Sequence, residues 1–255
     1  MIKIIKIGGN VVDNEVALKR FLDDFASIDG GKVLVHGGGK LATRLCQQLG
    51  IATQMIEGRR VTDRDTLDVC TMVYAGLINK RIVAALNARG CKAVGLSGAD
   101  ASVIPARKRS PEPIDFGWVG DIEGDKVDHA FIQHLLEIGV TPVFCALTHD
   151  GKGNMLNTNA DSIASQVAIA TARFAPTQLV FCFEKDGVLA DVDDPSSLIT
   201  TIDSDSFAQL KEQGIIAQGM VPKVSGALKA VSQGVAEVVI KNSANLLSER
   251  GTTIK

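Results

Sequence analysis

The sequence predicts an α/β protein with a mainly parallel, open sheet and helices on both of its faces. Three observations predict it. Short β-branched runs alternate with longer helical patterns along the chain, glycine turns close the first two runs, and no repeat or low-complexity tract interrupts the rhythm.

The first run, Ile2–Ile7, is apolar apart from Lys3 and Lys6 and stops at Gly8-Gly9. It reads as a strand, with a helix over 16–27 behind it. The second strand, Lys32–His36, is followed by Gly37-Gly38-Gly39 and a helix over 40–49. A long helical pattern covers 64–89, and Ala93–Leu96 is the third strand. The stretch 107–127 departs from the rhythm: Pro111 and Pro113 precede Phe116-Gly117-Trp118-Val119-Gly120-Asp121-Ile122 and the turn Glu123-Gly124-Asp125-Lys126, the pattern of a β-hairpin excursion. A helix over 129–138, a strand over 141–146, a helix over 160–173 and a strand over 179–183 continue the alternation. A helix over 222–233, with Pro222 in the favoured first turn, and a strand over 235–240 complete it. Pro176 separates the helix ending at 173 from the next strand, and marks the expected boundary between a lobe over 1–173 and one over 174–255.

The chain has 255 residues, 45% hydrophobic and 22% charged, which suits an enzyme-sized globular core. Basic and acidic residues number 27 and 29, a net charge of −2, so no broad electrostatic footprint for nucleic acid is expected. The apolar runs fall short of the roughly 20 residues a bilayer demands, and no membrane span is expected. The N-terminal strand has lysines within it and no small-residue cleavage site, unlike a signal peptide, so the expected location is the cytoplasm. Five scattered cysteines, Cys46, Cys70, Cys91, Cys145 and Cys182, show no C-x-x-C spacing and read as reduced core thiols. The four histidines, His36, His129, His134 and His149, have no metal-ligand spacing.

Sheets of this kind bind ligands beyond the carboxyl ends of their strands, which directs attention to the glycine turns. Without a Cβ, Gly8-Gly9 and Gly37-Gly38-Gly39 let backbone N–H groups face an anion, and a helix N-terminus adds partial positive charge. Two tight turns with no ligand are the plain alternative. Gly37 to Ala42 also satisfies the loose G-x-G-x-x-A dinucleotide fingerprint, with Glu57 at the place of its acidic partner, so a nicotinamide-dependent reductase is a rival reading. No G-x-x-x-x-G-K-[ST] is present, which excludes a P-loop.

Lys6 lies in an apolar strand just before a glycine turn, where burial is costly unless an anion is near; an edge lysine reaching solvent is the alternative. Lys223 opens a helix, against the dipole, which points to an anionic neighbour. In Asn157-Thr158-Asn159-Ala160-Asp161, Asn159 suits an N-cap and Asp161 the first helical turn. If Thr158 faces the core, Asn157 and Asn159 point together to the cleft. Arg59-Arg60 and Arg107-Lys108-Arg109 read either as solvated faces or as carboxylate forks.

Six segments taken together resemble the amino acid kinase family, in the family's order and across almost the whole chain: Ile4-Ile5-Lys6-Ile7-Gly8-Gly9, Val35-His36-Gly37-Gly38-Gly39, Arg60-Val61-Thr62, Asn157-Thr158-Asn159-Ala160-Asp161, Gly219-Met220-Val221-Pro222-Lys223-Val224 and Gly251-Thr252-Thr253-Ile254. The branch acting on N-acylated glutamate is the nearest in pattern. The resemblance implies a three-layer αβα sandwich whose N-terminal lobe takes the acylated amino acid and whose C-terminal lobe takes ATP. It implies ATP-dependent phosphorylation of the side-chain carboxylate of N-acetyl-L-glutamate, a step of arginine biosynthesis. Mg²⁺ is expected to arrive on the nucleotide, with no metal ligands from the protein.

Carried over by residue, Lys6 and Lys223 resemble the lysines that stabilise the transferring phosphoryl group, and Asp161 the carboxylate that orients them. Gly38, Gly39, Arg60, Asn157 and Asn159 resemble the substrate contacts. The nucleotide contacts implied are Gly8, Gly9, Glu184, Lys185, Asp186, Gly187, Val188, Leu189, Ile215 and Ile216. Phe183-Glu184-Lys185-Asp186-Gly187-Val188-Leu189 stands where the family carries Ser/Thr-Asp-Val-x-Gly, which leaves the roles of Glu184, Lys185 and Asp186 open. The cationic run Arg107-Lys108-Arg109 also departs from the family's commonest form, and an N-succinyl substrate, with its extra carboxylate, would give it a partner. Family hexamers inhibited by arginine carry an N-terminal helical extension before the first strand. The expectation here is a homodimer without that feedback. Glutamate 5-kinase and other family members, or a non-catalytic sensor on the same fold, are the remaining alternatives.

Overall fold

The computed structural model describes residues 1–56, 58–191, 193–216 and 220–255. Eight strands form the main sheet: β1 (Ile2–Ile7), β2 (Lys32–His36), β3 (Ala93–Leu96), β4 (Thr141–Cys145), β5 (Thr177–Phe183), β6 (Thr201–Ile202), β7 (Glu237–Asn242) and β8 (Thr252–Ile254). Their order is β6-β8-β7-β5-β1-β2-β4-β3, and all neighbours run parallel except β7 and β8. The helices are α1 (Glu15–Ser27), α2 (Gly39–Gln48), α3 (Arg64–Asn87), α4 (His129–Glu137), α5 (Ala160–Ala172), α6 (Ser204–Glu212) and α7 (Val221–Ser232).

Alternation along the strands sorts the side chains into two cores, one on each face of the sheet. In β1, Ile5 and Ile7 join Phe21, Leu22 and Phe25 of α1 on one face. Ile4 joins Val33, Val35, Phe144, Ile163 of α5 and Val224 of α7 on the other. The result is helix, sheet, helix: the expected three-layer architecture. Helix starts follow the sequence closely because side-chain caps satisfy the first free N–H groups. Asn14 accepts from Ala17 N at 3.0 Å, Asp63 from Thr66 N at 2.8 Å and Asp128 from Phe131 N at 3.0 Å.

All six strands and six helices read from the sequence are present, with ends displaced by no more than two residues. The excursion over 107–127 is a hairpin, in which Ala106–Lys108 pairs antiparallel with Gly120–Ile122. Its connection runs between Lys108 and Gly120, however. Glu123 to Lys126 is a short 3₁₀ turn that feeds α4. Two-residue β6, three-residue β8 and the largely exposed α6 are further elements, too short or too polar to show a period.

Helix α3 is long and apolar enough to cross a membrane by length and composition, against the expectation from run length. It packs as a core helix: Leu67, Val69, Val73, Ile82 and Leu86 are buried. Its middle, Met72–Ile78, is wound as a π-helix, a departure often found beside functional sites.

Chain order reverses about β1: β2 lies on one side of it and β5 on the other. The helix after β1 covers one face and the helix before β5 covers the opposite face. The crevice beyond the carboxyl ends of β1 and β5 is therefore the topological switch point, where open α/β sheets take their ligands.

Candidate active site

Register decides which side chains reach that crevice. Lys6 pairs with Phe181 across β1 and β5, and alternation puts Lys6, Phe181 and Phe183 on the face covered by α5 and α7. Asp161, in the first turn of α5, meets Lys6 there with 2.7 Å between Oδ1 and Nζ. Lys223, near the start of α7, lies with Nζ 3.7 Å from the centroid of the Phe183 ring, and Lys6 Nζ lies 5.4 Å from the same centroid. Three predicted residues thus converge. Lys6 is only 8% exposed, so its pairing with Asp161 offsets a burial that would otherwise disfavour the cation. Burial holds the Lys223 amine below its ordinary range; Asp161 raises it in part, and the Lys6 cation lowers it further.

A cavity of about 550 Å³ opens beside these lysines, walled by Gly8, Gly9, Asn10, Lys40, Glu184, Lys185, Gly187 and Lys223 among others. Gly8 caps the short helix Gly9–Val12, whose first N–H groups have no helical partner. The side chain of Asn10 donates to Glu184 Oε1, tying the first glycine turn to the segment after β5. Asp186 turns away from this cavity: it pairs with Arg250 at 2.6 Å and accepts from Asn245 Nδ2 at 3.0 Å. Val188 is buried and its N–H donates to Thr252 Oγ1 at 2.8 Å, while Leu189 pairs with Leu198 in a small hairpin. Ile216 lies in the core, and Ile215 N–H donates to Leu210 O at 3.0 Å.

A second cavity, of about 160 Å³, adjoins the first at Gly39 and is lined by Gly37, Arg60, Tyr74, Asn157, Thr158 and Asn159 among others. Arg60 is 6% exposed. Its Nη2 donates to Gly39 O at 2.9 Å and Thr43 Oγ1 at 2.7 Å, whereas Nη1 is buried with no hydrogen-bond partner among the described residues. A buried, half-satisfied guanidinium beside a cavity calls for an anion. Thr158 does face inward, with its hydroxyl 2.7 Å from that of Thr148. Asn157 Nδ2 donates to Thr62 Oγ1 at 3.0 Å, which leaves its oxygen for a ligand. Asn159 is the N-cap of α5, its Oδ1 accepting from Asp161 N and Ser162 N at 2.8 and 3.1 Å, and its amide nitrogen remains available at the cavity wall.

The loop at 116–119 locks the two halves of this second site together. Thr62 N donates to Phe116 O at 2.9 Å, Trp118 N to Thr62 O at 2.7 Å, and Asn157 N to Trp118 O at 2.9 Å. Gly117 has φ +70°, and a Cβ there would stand 2.3 Å from Thr62 O. Gly38 is needed for a different reason: a Cβ would meet Ile78 Cδ1 at 2.3 Å and Tyr74 Cδ1 at 3.1 Å, both from the π-wound turn of α3. His36 sets the start of the same loop. Fully buried, it is held neutral with its pKa lowered to about 4. Nδ1 lies 2.8 Å from Gly37 O, and Nε2 3.1 Å from Asn79 Nδ2. The neutral ring thus donates to Gly37 and accepts from Asn79.

Not every candidate belongs to the site. Arg109 pairs with Asp121 and Lys108 stacks 4.4 Å from the Trp118 centroid, and none of Arg107, Lys108 and Arg109 lines the second cavity. Glu57 and Gly219 lie outside the described residues. Among the described residues no cluster of three or more His, Cys, Asp and Glu side chains could cage a metal. The sequence assigned no role to Phe183, Asn10, Tyr74 or Thr62. Phe183 had a signal, as the last residue of a strand at a switch point, and Thr62 stands in one of the six quoted segments; Asn10 and Tyr74 are drawn in by tertiary contacts alone.

Comparisons with known proteins agree with this geometry. Acetylglutamate kinase of Bacteroides fragilis is 49% identical over 252 residues, covering 99% of this chain and 96% of its own. That of Bacteroides thetaiotaomicron is 50% identical over 252 residues, covering 99% of this chain and 97% of its own. Among solved structures, smu.665 from Streptococcus mutans superimposes with a TM-score of 0.79 at 28% identity, over 100% of this chain and 98% of that one. Residues 1–242 match the amino acid kinase family throughout both cavities' walls, and the chain belongs to that family.

Proposed function

We propose that this chain transfers the γ-phosphoryl group of ATP to the side-chain carboxylate of N-acetyl-L-glutamate, the reaction that the names of its relatives point to. The observation that carries the reading is the convergence of Lys6, Lys223 and Asp161, with Lys223 on the wall of a cavity lined by Gly8 and Gly9 that adjoins a second one holding Arg60. A side-chain carboxylate is ionised at pH 7, with an ordinary pKa of about 4.3, so the attacking oxygen needs no general base. The protein's task is alignment and charge.

Arg60 Nη1, with the amides of Asn157 and Asn159, holds the acylated amino acid in the smaller cavity. Gly38 and Gly39 let its carboxylate approach the backbone. The turn at Gly8-Gly9, with Glu184, Lys185 and Gly187, holds the nucleotide in the larger cavity. The new bond forms between the substrate oxygen and phosphorus as the bond from phosphorus to the β–γ bridging oxygen breaks. Charge then spreads over the three equatorial oxygens, where Lys6 and Lys223 stabilise it. Asp161 pairs with Lys6 and aims it. Mg²⁺ carried on the nucleotide would supply further neutralisation of phosphate charge.

The division into an acylglutamate lobe over 1–173 and a nucleotide lobe over 174–255 follows from the same assignment, although Lys6 and the Gly8-Gly9 turn serve the second ligand from the first lobe. A homodimer fits the exposed Met72 and Leu77 on α3. Five free, buried cysteines fit a reducing cytoplasm.

A hydroxamate assay for acyl phosphate, run with ATP, Mg²⁺ and a panel of N-acylated and free amino acids, tests the function. N-acetyl-L-glutamate is expected to react, and Lys6→Ala and Lys223→Ala each to lose mainly kcat. Near-normal turnover in either variant refutes its role, and preference for N-succinylglutamate or free glutamate refutes the substrate.

A further inference from the structure

Two lysines of like charge share the reaction centre with one carboxylate, and Asp161 lies against Lys6. Lys223 stands in the first turn of α7, where the helix dipole opposes a cation. What the structure offers it is a ring. Phe183 closes β5 with its face 3.7 Å from Lys223 Nζ and 5.4 Å from Lys6 Nζ, measured to the centroid. The ring is itself fixed by Phe181, whose centroid lies 6.2 Å away at an interplanar angle of 27°. It forms part of the wall of the larger cavity and of a neighbouring groove of about 290 Å³ between α5 and α7.

We propose that Phe183 is a positioning residue for phosphoryl transfer, its π face holding the ammonium of Lys223, and more loosely that of Lys6, at the place where phosphoryl charge develops. The proposal rests on the phosphoryl-transfer reading above. Its physical basis is the kind of attraction involved. A second carboxylate at this position would hold the lysine more strongly, but would also neutralise it and repel the phosphates. An alkyl group would not attract the ammonium at all. The negative face of a benzene ring attracts a cation without carrying net charge, and the attraction fades quickly with distance. Lys223 is thereby held in place to meet a phosphoryl oxygen while its contact with the ring persists, so its charge is preorganised for the transition state and the gain appears in kcat.

Fluorination of the ring tests this, because it withdraws the face's negative charge with little change of shape. Wild-type enzyme is first assayed for acyl phosphate with ATP, Mg²⁺ and N-acetyl-L-glutamate; failure here overturns the phosphoryl-transfer reading and, with it, the proposal. In active enzyme, mono-, di- and trifluorinated phenylalanine at position 183 are expected to lower kcat stepwise, to roughly a tenth at the end of the series. KM for the acylated amino acid is expected to stay within about twofold, because that ligand meets Arg60 and not the ring. The alkaline limb of kcat should move to lower pH along the series. With Asp161 and Lys6 facing Lys223 as before, a weaker ring is all that changes in support of its charged form. Phe183→Tyr is expected to retain activity and Phe183→Leu to lose roughly tenfold. Active wild type with a flat fluorination series and an unmoved limb overturns the proposal, whatever the leucine variant does to folding.

Discussion

Replacing His36 by glutamine should remove a pH dependence of stability that the folded structure builds in. His36 is fully buried, and its neutral ring donates to Gly37 O and accepts from Asn79 Nδ2. Protonation would turn the accepting nitrogen into a donor facing another donor, in a place closed to bulk solvent. Its pKa is accordingly about 4 in the folded chain against 6.5 when unperturbed. The unfolded chain binds the proton more readily than the folded one. The contribution to stability is therefore complete above pH 6.5, is lost as pH falls toward 4, and changes little below that. At about 1.4 kcal/mol per unit of pKa, the loss amounts to about 3–4 kcal/mol, a large share of a typical domain's stability. Urea unfolding between neutral pH and about pH 4.5 should show the decline in wild type and a much flatter profile in His36→Gln. Because His36 sets the start of the Gly37-Gly38-Gly39 loop, KM for the acylated amino acid should rise over the same range. Equal slopes in the two proteins, or an NMR titration of His36 near 6.5, would refute the reasoning.

The second cavity and the lysines yield three more expectations. Arg60→Lys should raise KM for the acylated amino acid by about 10- to 100-fold with a smaller effect on kcat, since an ammonium cannot fork between Gly39, Thr43 and a ligand carboxylate; steady-state kinetics with ATP saturating decides it. Gly38→Ala should cost about 1–3 kcal/mol through the contact of its Cβ with Ile78 Cδ1. Adding Ile78→Val, which deletes that methyl group, should recover part of the loss in denaturant unfolding, and strict additivity of the two changes would count against the contact. In the proposed reaction Lys223 acts as a cation, and its amine is held below its ordinary 10.5, so turnover should fall as pH rises through a point below that value. Asp161→Asn should move the fall to still lower pH, and a shift upward in the kcat profile would contradict the arrangement.

The elements were legible because their signals are local. Ile2–Ile7, Lys32–His36 and the helices that follow them declare themselves through period, glycine turns and caps such as Asn14 and Asp63, each acting within a few residues. Lys6 drew attention for the same reason, as a cation in an apolar strand before a glycine turn. The hairpin near Trp118 was legible as an excursion but not in its connection, since strands of three residues carry almost no period.

What the sequence by itself determined was the αβα architecture, the places where glycine turns end strands, and, through six segments in family order, the set of residues worth testing. Tertiary structure alone decided which of them meet. The sheet order puts β5 beside β1, so that Phe183, Lys6, Asp161 and Lys223 share one face of one crevice. It also takes Asp186 out of the larger cavity by pairing it with Arg250, and takes Arg107 to Arg109 away from the smaller one by placing Lys108 on Trp118 and Arg109 on Asp121. The physical reason is that secondary structure follows from forces along the chain, whereas burial, charge pairing and cation–π contact depend on which distant strands become neighbours.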